Sequence, residues 1–269
     1  MNNDHQNARG RCIQRSGRLG LVSVAGWVLL LAAAAPSASA QAPQAASQDS
    51  VHPTAIVLGF VGGFVNKDDH RHPEVQIVQR LSQQKLPAVH AVVFENSQRA
   101  LALKQLIGWL DTNGDGHLSA AEKQNARIIL FGHSWGGSAV IKLADELNRR
   151  GIPVLLTIQV DSINKGWGHD CVIPANVAQA TFFYQTRGVA HGCHALRTED
   201  PSRTRITGGY EFEYAKQPPG CRSYPWFDRY FLSTHNAIGC DPRVWSQVED
   251  EIQAQLQAVL GTQVAEVRR

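Results

Sequence analysis

What this 269-residue chain lacks narrows it first. It has no lasting excess of charge. The formal net charge is +3, and residues 1–40 carry all of it: Arg9, Arg11, Arg15 and Arg18 outweigh the single acid Asp4 there. The rest is neutral, so no basic field remains to draw nucleic acid or an acidic membrane surface. There are no internal repeats, which excludes solenoids and arrays. The one long apolar run, Leu19 to Ala35, is slightly short for a bilayer. It ends in small residues instead of aromatic or basic anchors.

That run has another use. The four arginines before it and Ala38-Ser39-Ala40 after it are the parts of an export signal. The expected mature chain starts after Ala40, periplasmic or secreted, with no membrane span. Cys12 leaves with the signal. Residues 41–53, rich in Gln, Ala and Ser, read as a flexible linker. Residues 54–261 are enough for one domain with a sizeable core, and 262–269 form a tail. Four cysteines survive: Cys171, Cys193, Cys221 and Cys240. In an oxidising compartment they suggest two disulfides. Three pairings are open; Cys171–Cys193 and Cys221–Cys240 are favoured because each closes a short loop.

The stretch Ile128-Ile129-Leu130-Phe131-Gly132-His133-Ser134-Trp135-Gly136-Gly137 organises the chain. Four apolar residues predict a buried strand. Gly132 to Gly136 then fits G-x-S-x-G. Ala139, Val140, Leu143, Ala144 and Leu147 follow at helical spacing. Strand, tight turn and helix are the context of a nucleophile elbow, with Ser134 at a helix N-terminus suited to a developing oxyanion. An earlier strand, Ala55 to Phe60, runs into Val61-Gly62-Gly63. The N–H of Phe60 or Val61 is the candidate for one oxyanion donor, and that of Trp135 for the other.

Between these strands lie three further features. Asp68-Asp69-His70-Arg71-His72 reads as a solvated loop or helix cap before a helix from Pro73. That helix buries Val75, Ile77, Val78 and Leu81. Val89 to Phe94 is a strand. Leu103, Leu106, Ile107 and Leu110 mark an amphipathic helix. At its end, Asp111 to Glu122 matches D-x-[DN]-x-[DN]-G-x5-E, the EF-hand loop. Calcium takes hard oxygen ligands. Asp111, Asn113, Asp115, the carbonyl of His117, Ser119 and bidentate Glu122 would supply them. The competing reading is an Asp-Gly turn followed by a helix with a Ser119/Glu122 capping box; both can hold. Only one such loop is present, whereas EF-hands usually pair.

Beyond the elbow, strands are predicted at Ile152 to Val160, at Thr181 to Tyr184 and within residues 204–214. Asp161, at the end of the first, is placed to orient a catalytic histidine; Asp200 is the rival. The base comes late in the order Ser, acid, His. His235 fits best, before a last helix bearing Val244, Val248, Ile252, Leu256 and Val259. His169, His191 and His194 sit in glycine- and cysteine-rich loops. His133 is the variable residue of the elbow and not the base.

These motifs resemble those of secreted bacterial α/β-hydrolases of the thioesterase/lipase-like group, over roughly residues 54–260, with an EF-hand-type loop inserted before the elbow strand. The resemblance implies an α/β-hydrolase fold with a mostly parallel sheet and helices on both faces. It implies a Ser134–His235–Asp161 triad, the acid placed as in thioesterase domains. No separate lid domain is evident. The expected activity is hydrolysis of a small-molecule or lipid-like ester, an ester being favoured over a thioester by export, with calcium purely structural. The alternative is a non-catalytic calcium-binding protein on the same scaffold.

Overall fold

In the computed structural model, the described residues are 55–86, 88–166, 170–214 and 232–267, with side chains described as far as residue 261. The expected signal segment and linker, His169 and Cys221 lie outside them.

A six-stranded sheet carries the fold. In chain order its strands are β1 (Ala55–Val61), β2 (Val89–Glu95), β3 (Arg127–His133), β4 (Val154–Val160), β6 (Val177–Tyr184) and β8 (Arg205–Glu211). Spatially they run β2-β1-β3-β4-β6-β8, and every neighbouring pair is parallel. The short strands β5 (Val172–Ile173) and β7 (Arg197–Thr198) pair separately. Central strands of a parallel sheet face helices on both sides, so they read as continuous apolar runs. β1 is such a strand, Ala-Ile-Val-Leu-Gly-Phe-Val, wholly buried. β8 is the opposite case, an edge strand exposed along most of its length. β6 starts before the predicted Thr181: its first half mixes buried Val177 and Ala180 with exposed Ala178 and half-buried Gln179, and carries no apolar run.

Two apolar layers flank the sheet. On one face lie α2 (Arg99–Leu110) and α4 (Trp135–Asn148), with Leu106, Leu143 and Leu147 packed on Ile56, Leu58 and Leu130. On the other lie α1 (Pro73–Gln83), α5 (Ser233–Cys240) and α6 (Pro242–Val267), with Ile77, Ile238, Val248 and Ile252 packed on Val57, Ile129 and Ile158. Burying each such side chain stabilises the fold by about 1.5–3 kcal/mol. This is the α/β-hydrolase type of architecture expected from the sequence. A five-residue helix, α3 (Ala120–Gln124), follows the Asp-rich loop and leads into β3.

One boundary differs. His235 was expected just before the last helix; it lies inside its own helix, α5. Asp241 and Pro242 explain the break. Proline is tolerated at a helix start but not inside one, and the Asp241 carboxylate accepts from the N–H of Arg243 at 2.8 Å. Among the described residues no helix is long and apolar enough to cross a membrane.

Candidate active site

Parallel strands deliver their C-terminal ends to one edge of the sheet, where α/β proteins build sites. The register is specific here. His133 stands beside Val160, and Val160 beside Phe183. The residues that leave these strands are therefore neighbours. The N–H of Ser134 donates to the Val160 carbonyl at 3.0 Å, and that of Asp161 to the Phe183 carbonyl at 2.7 Å.

Ser134 occupies a strained turn, at φ 57° and ψ −125°. Non-glycine residues rarely adopt positive φ, and such strain gathers at functional sites. Asp161 (φ 42°) and Phe64 (φ 60°) share it at the same sheet edge. The turn is possible only because Gly136 lacks a side chain: a Cβ there would stand 2.1 Å from the carbonyl oxygen of Phe60.

Three expected residues form one hydrogen-bonded line. His235 Nε2 lies 2.8 Å from Ser134 Oγ, and Nδ1 lies 2.7 Å from Asp161 Oδ2. All three are buried, with Ser134 7%, His235 2% and Asp161 1% exposed. The Asp161 carboxylate has further donors: the N–H of Gly192 at 2.5 Å on Oδ1 and Gln185 Nε2 at 2.9 Å on Oδ2. Gln185 also donates to the Ala190 carbonyl at 2.7 Å, which ties the loop to the acid. The sequence reading missed Gln185 and Gly192. The signal for Gln185 was the one that found Asp161, a polar residue just past the end of a strand.

The rivals stand elsewhere. Asp200 accepts from the N–H and Oγ of Ser202 at 2.9 and 2.6 Å, and those bonds hold its carboxyl below the usual range. The His191 and His194 rings pack against each other at a tilt, centroids 4.7 Å apart, on the loop that carries Gly192.

Phe60 and Val61 are the last two residues of β1, wholly buried within the sheet. Beyond them Asn96 Nδ2 donates to the Gly62 carbonyl at 2.8 Å. Asn96 follows β2, on the far side of β1 from Ser134. A trans peptide points its N–H opposite its C=O, so the N–H of Gly63 faces the Ser134 side. A Cβ at Gly62 would lie 3.5 Å from Ser134 Cβ. Trp135, first residue of α4, packs beside this loop, its ring centroid 5.2 Å from that of Phe64 and with Lys165 Nζ 5.4 Å above it.

Two buried titratable groups complete the site. Glu74, in the first turn of α1, is 1% exposed, and its Oε2 has no hydrogen-bond partner. Burial pushes its carboxyl up to about 8, against smaller opposing effects of the Glu74 and His133 amides. His133 lies wholly inside; burial first, then His235 and His72, hold its imidazole well below the usual range, so it is neutral. The segment read as a solvated loop or helix cap is both, with His72 the N-cap residue of α1. Asp69 pairs with Arg71, but His72 is buried.

The Asp111–Glu122 loop bends as its glycines suggest, Gly114 at φ 70° and Gly116 at φ 80°. Asp111 accepts from the amides of Gly114, Asp115 and Gly116, and Asp115 from that of His117. Glu122 is turned elsewhere. Its carboxylate accepts from the N–H and hydroxyl groups of both Thr112 and Ser119, which closes the capping box and lowers it to about 2. Among the described residues no three His, Cys, Asp or Glu groups are arranged to hold a metal.

Cys171 and Cys193 form a disulfide that closes the expected short loop. Cys240 is disulfide-bonded as well; its expected partner, Cys221, lies outside the described residues.

No family model matches the chain, and no curated protein matches it. Solved structures similar to it include an arylesterase, at 11% identity and TM-score 0.37 over 77% of each chain. Another is the thioesterase domain of NocB from the nocardicin cluster, at 13% identity and TM-score 0.35, over 76% of this chain and 94% of that one. Neither likeness is close enough to assign an activity.

Proposed function

We propose that this protein is a serine hydrolase that cleaves an ester. The observation that carries this reading is the unbroken line from Ser134 Oγ through His235 to Asp161, at 2.8 and 2.7 Å, with the serine on a strained elbow. His235 Nε2 takes the serine proton as Oγ bonds to the ester carbonyl carbon. The tetrahedral oxyanion is met by the N–H of Trp135 at the start of α4. We place the second donor at Gly63 and not at Phe60 or Val61, because Asn96 turns that peptide toward the serine. The C–O bond to the leaving group breaks, and the imidazolium gives that alkoxide its proton. Water, deprotonated by His235, then releases the acid and restores Ser134. Asp161 keeps Nδ1 protonated and the ring oriented. The substrate we propose is a small apolar or lipid-like ester. Phe64 and Val189, the two most exposed large apolar side chains among the described residues at 85% and 81%, support this. Phe64 packs on Trp135, and Val189 follows Gly188, which meets Thr234 next to the base. Replacing Ser134 by Ala should remove at least about three orders of magnitude in turnover. Hydrolysis at the wild-type rate by that variant refutes the reading.

We further propose export and a structural calcium ion. The leader-like first forty residues support export, and the Cys171–Cys193 disulfide suits an oxidising compartment. For calcium, the oxygen-only donor set and the glycine bends fit a hard ion. Asp111, Asn113, Asp115, the His117 carbonyl, Ser119 and Glu122 would hold it, and it would fix the loop that leads through α3 into β3. Its binding would compete with the capping bonds of Glu122. Added calcium should raise the melting temperature and EDTA should reverse the gain; identical melts with either refute the site.

A further inference from the structure

Both ring nitrogens of His235 are used, Nε2 by Ser134 and Nδ1 by Asp161. These bonds fix the ring edge. They leave free its tilt about that line and the height of the α5 backbone beneath it. Among the described residues, His133 constrains both. The His133 ring stacks on the His235 ring, centroids 4.8 Å apart and planes 28° apart. His133 Nε2 also lies 3.2 Å from the backbone oxygen of His235. A carbonyl only accepts, so Nε2 carries the proton and donates. Burial keeps the ring neutral, and in a neutral ring this bond places the one proton on Nε2. His133 belongs to β3, the strand that also delivers Ser134. Nucleophile and base are thus tied together by a second route that avoids the reacting atoms.

We infer that His133 is a positioning residue for the catalytic base, holding the ring and the carbonyl of His235 at the height at which Nε2 meets Ser134 Oγ. This rests on the serine-hydrolase reading above. The neutral state matters to the role. During turnover His235 becomes an imidazolium, and a second cation 4.8 Å away would oppose that step. The groups facing His133 are consistent with neutrality. His72 and His235 both disfavour a charge on it, and Glu74, whose carboxyl is near its amide, is itself held protonated by burial.

The test uses two substitutions of similar length and volume. His133→Gln keeps an N–H able to reach the His235 carbonyl; His133→Met has none. Steady-state hydrolysis of a short-chain p-nitrophenyl ester is measured for each, per folded molecule, beside wild type and Ser134→Ala. A lost hydrogen bond together with a lost stack corresponds to roughly tenfold or more in rate. His133→Met should lower kcat about tenfold or more with KM within about twofold, and His133→Gln should recover several-fold of that loss. A purely structural role would lower the melting temperature of both variants and leave kcat per folded molecule unchanged, which overturns the inference. Equal kcat losses in Gln and Met also overturn it, since the donated hydrogen bond would then be irrelevant. Unimpaired hydrolysis by Ser134→Ala would instead overturn the serine-hydrolase reading beneath it.

Discussion

Glu74 offers a sharp test of the interior beneath the site. Its carboxyl is held at about 8 by burial, against 4.5 for an ordinary glutamate. The folded state therefore keeps a proton that the unfolded chain releases above pH 4.5. The stability that goes with this proton is complete below pH 4.5 and is lost as pH rises to about 8. Each pH unit in that window costs about 1.4 kcal/mol, so Glu74 by itself makes the fold less stable by about 3 kcal/mol at pH 7 than at pH 4.5. Glu74→Gln keeps the shape and polar atoms but cannot ionise. It should be close to neutral near pH 4.5 and stabilising by about 3 kcal/mol at pH 7. For a domain of this size that is a gain of about 6–12 °C in Tm. His72 and His133, whose pKa values burial lowers, titrate in the opposite sense; they are common to both proteins and cancel in the difference. Thermal or urea melts of wild type and variant, at several pH values from about 4.5 to 8, measure it. A stability gap that stays flat across that range refutes a protonated, dry Glu74.

Asp161→Asn should reduce turnover by roughly three to four orders of magnitude, because an amide no longer fixes the His235 tautomer; Asp200→Asn should stay within about twofold. Kinetics of the two variants decide between the acids, and a crippled Asp200→Asn would reverse the assignment. Joint replacement of Cys171 and Cys193 by serine should lower kcat by about tenfold, since Cys193 adjoins Gly192, whose N–H donates to Asp161. Wild-type activity in that double variant would show that the loop holds its place unaided. Gly136→Ala should prevent folding or destabilise by several kcal/mol, as its Cβ would meet the Phe60 carbonyl; a normal melting temperature would contradict the packing of the elbow.

The site was legible where its determinants are local. Ser134 was marked by an apolar strand, two glycines and a helix within a dozen residues, and Asp161 by its place at a strand end. His235 needed chain order and its place beside the last helix, which set it apart from His169, His191 and His194. What stayed hidden depends on contacts made across the sheet. Glu74 passed unnoticed in the first turn of its helix; only the packing of α1 against β1 and β2 shows that it is buried. His133 reads as filler in G-x-S-x-G, and its role appears when a helix 102 positions later brings a carbonyl to its ring. The proposed oxyanion loop was marked by its glycines, but the choice of amide rests on Asn96, a side chain from another strand end. The Asp111 loop shows the converse. Its motif is complete in sequence, yet one carboxylate, Glu122, serves two readings, and the fold uses it to cap α3.

A Ser134 nucleophile activated by His235 should react with an electrophilic phosphorus reagent. Folded wild-type protein incubated with a fluorophosphonate, followed by intact mass and peptide mapping, tests it directly. One adduct per chain is expected, located on Ser134 and lost in folded His235→Ala. An unlabelled wild-type protein, or an adduct on any other residue, would contradict it.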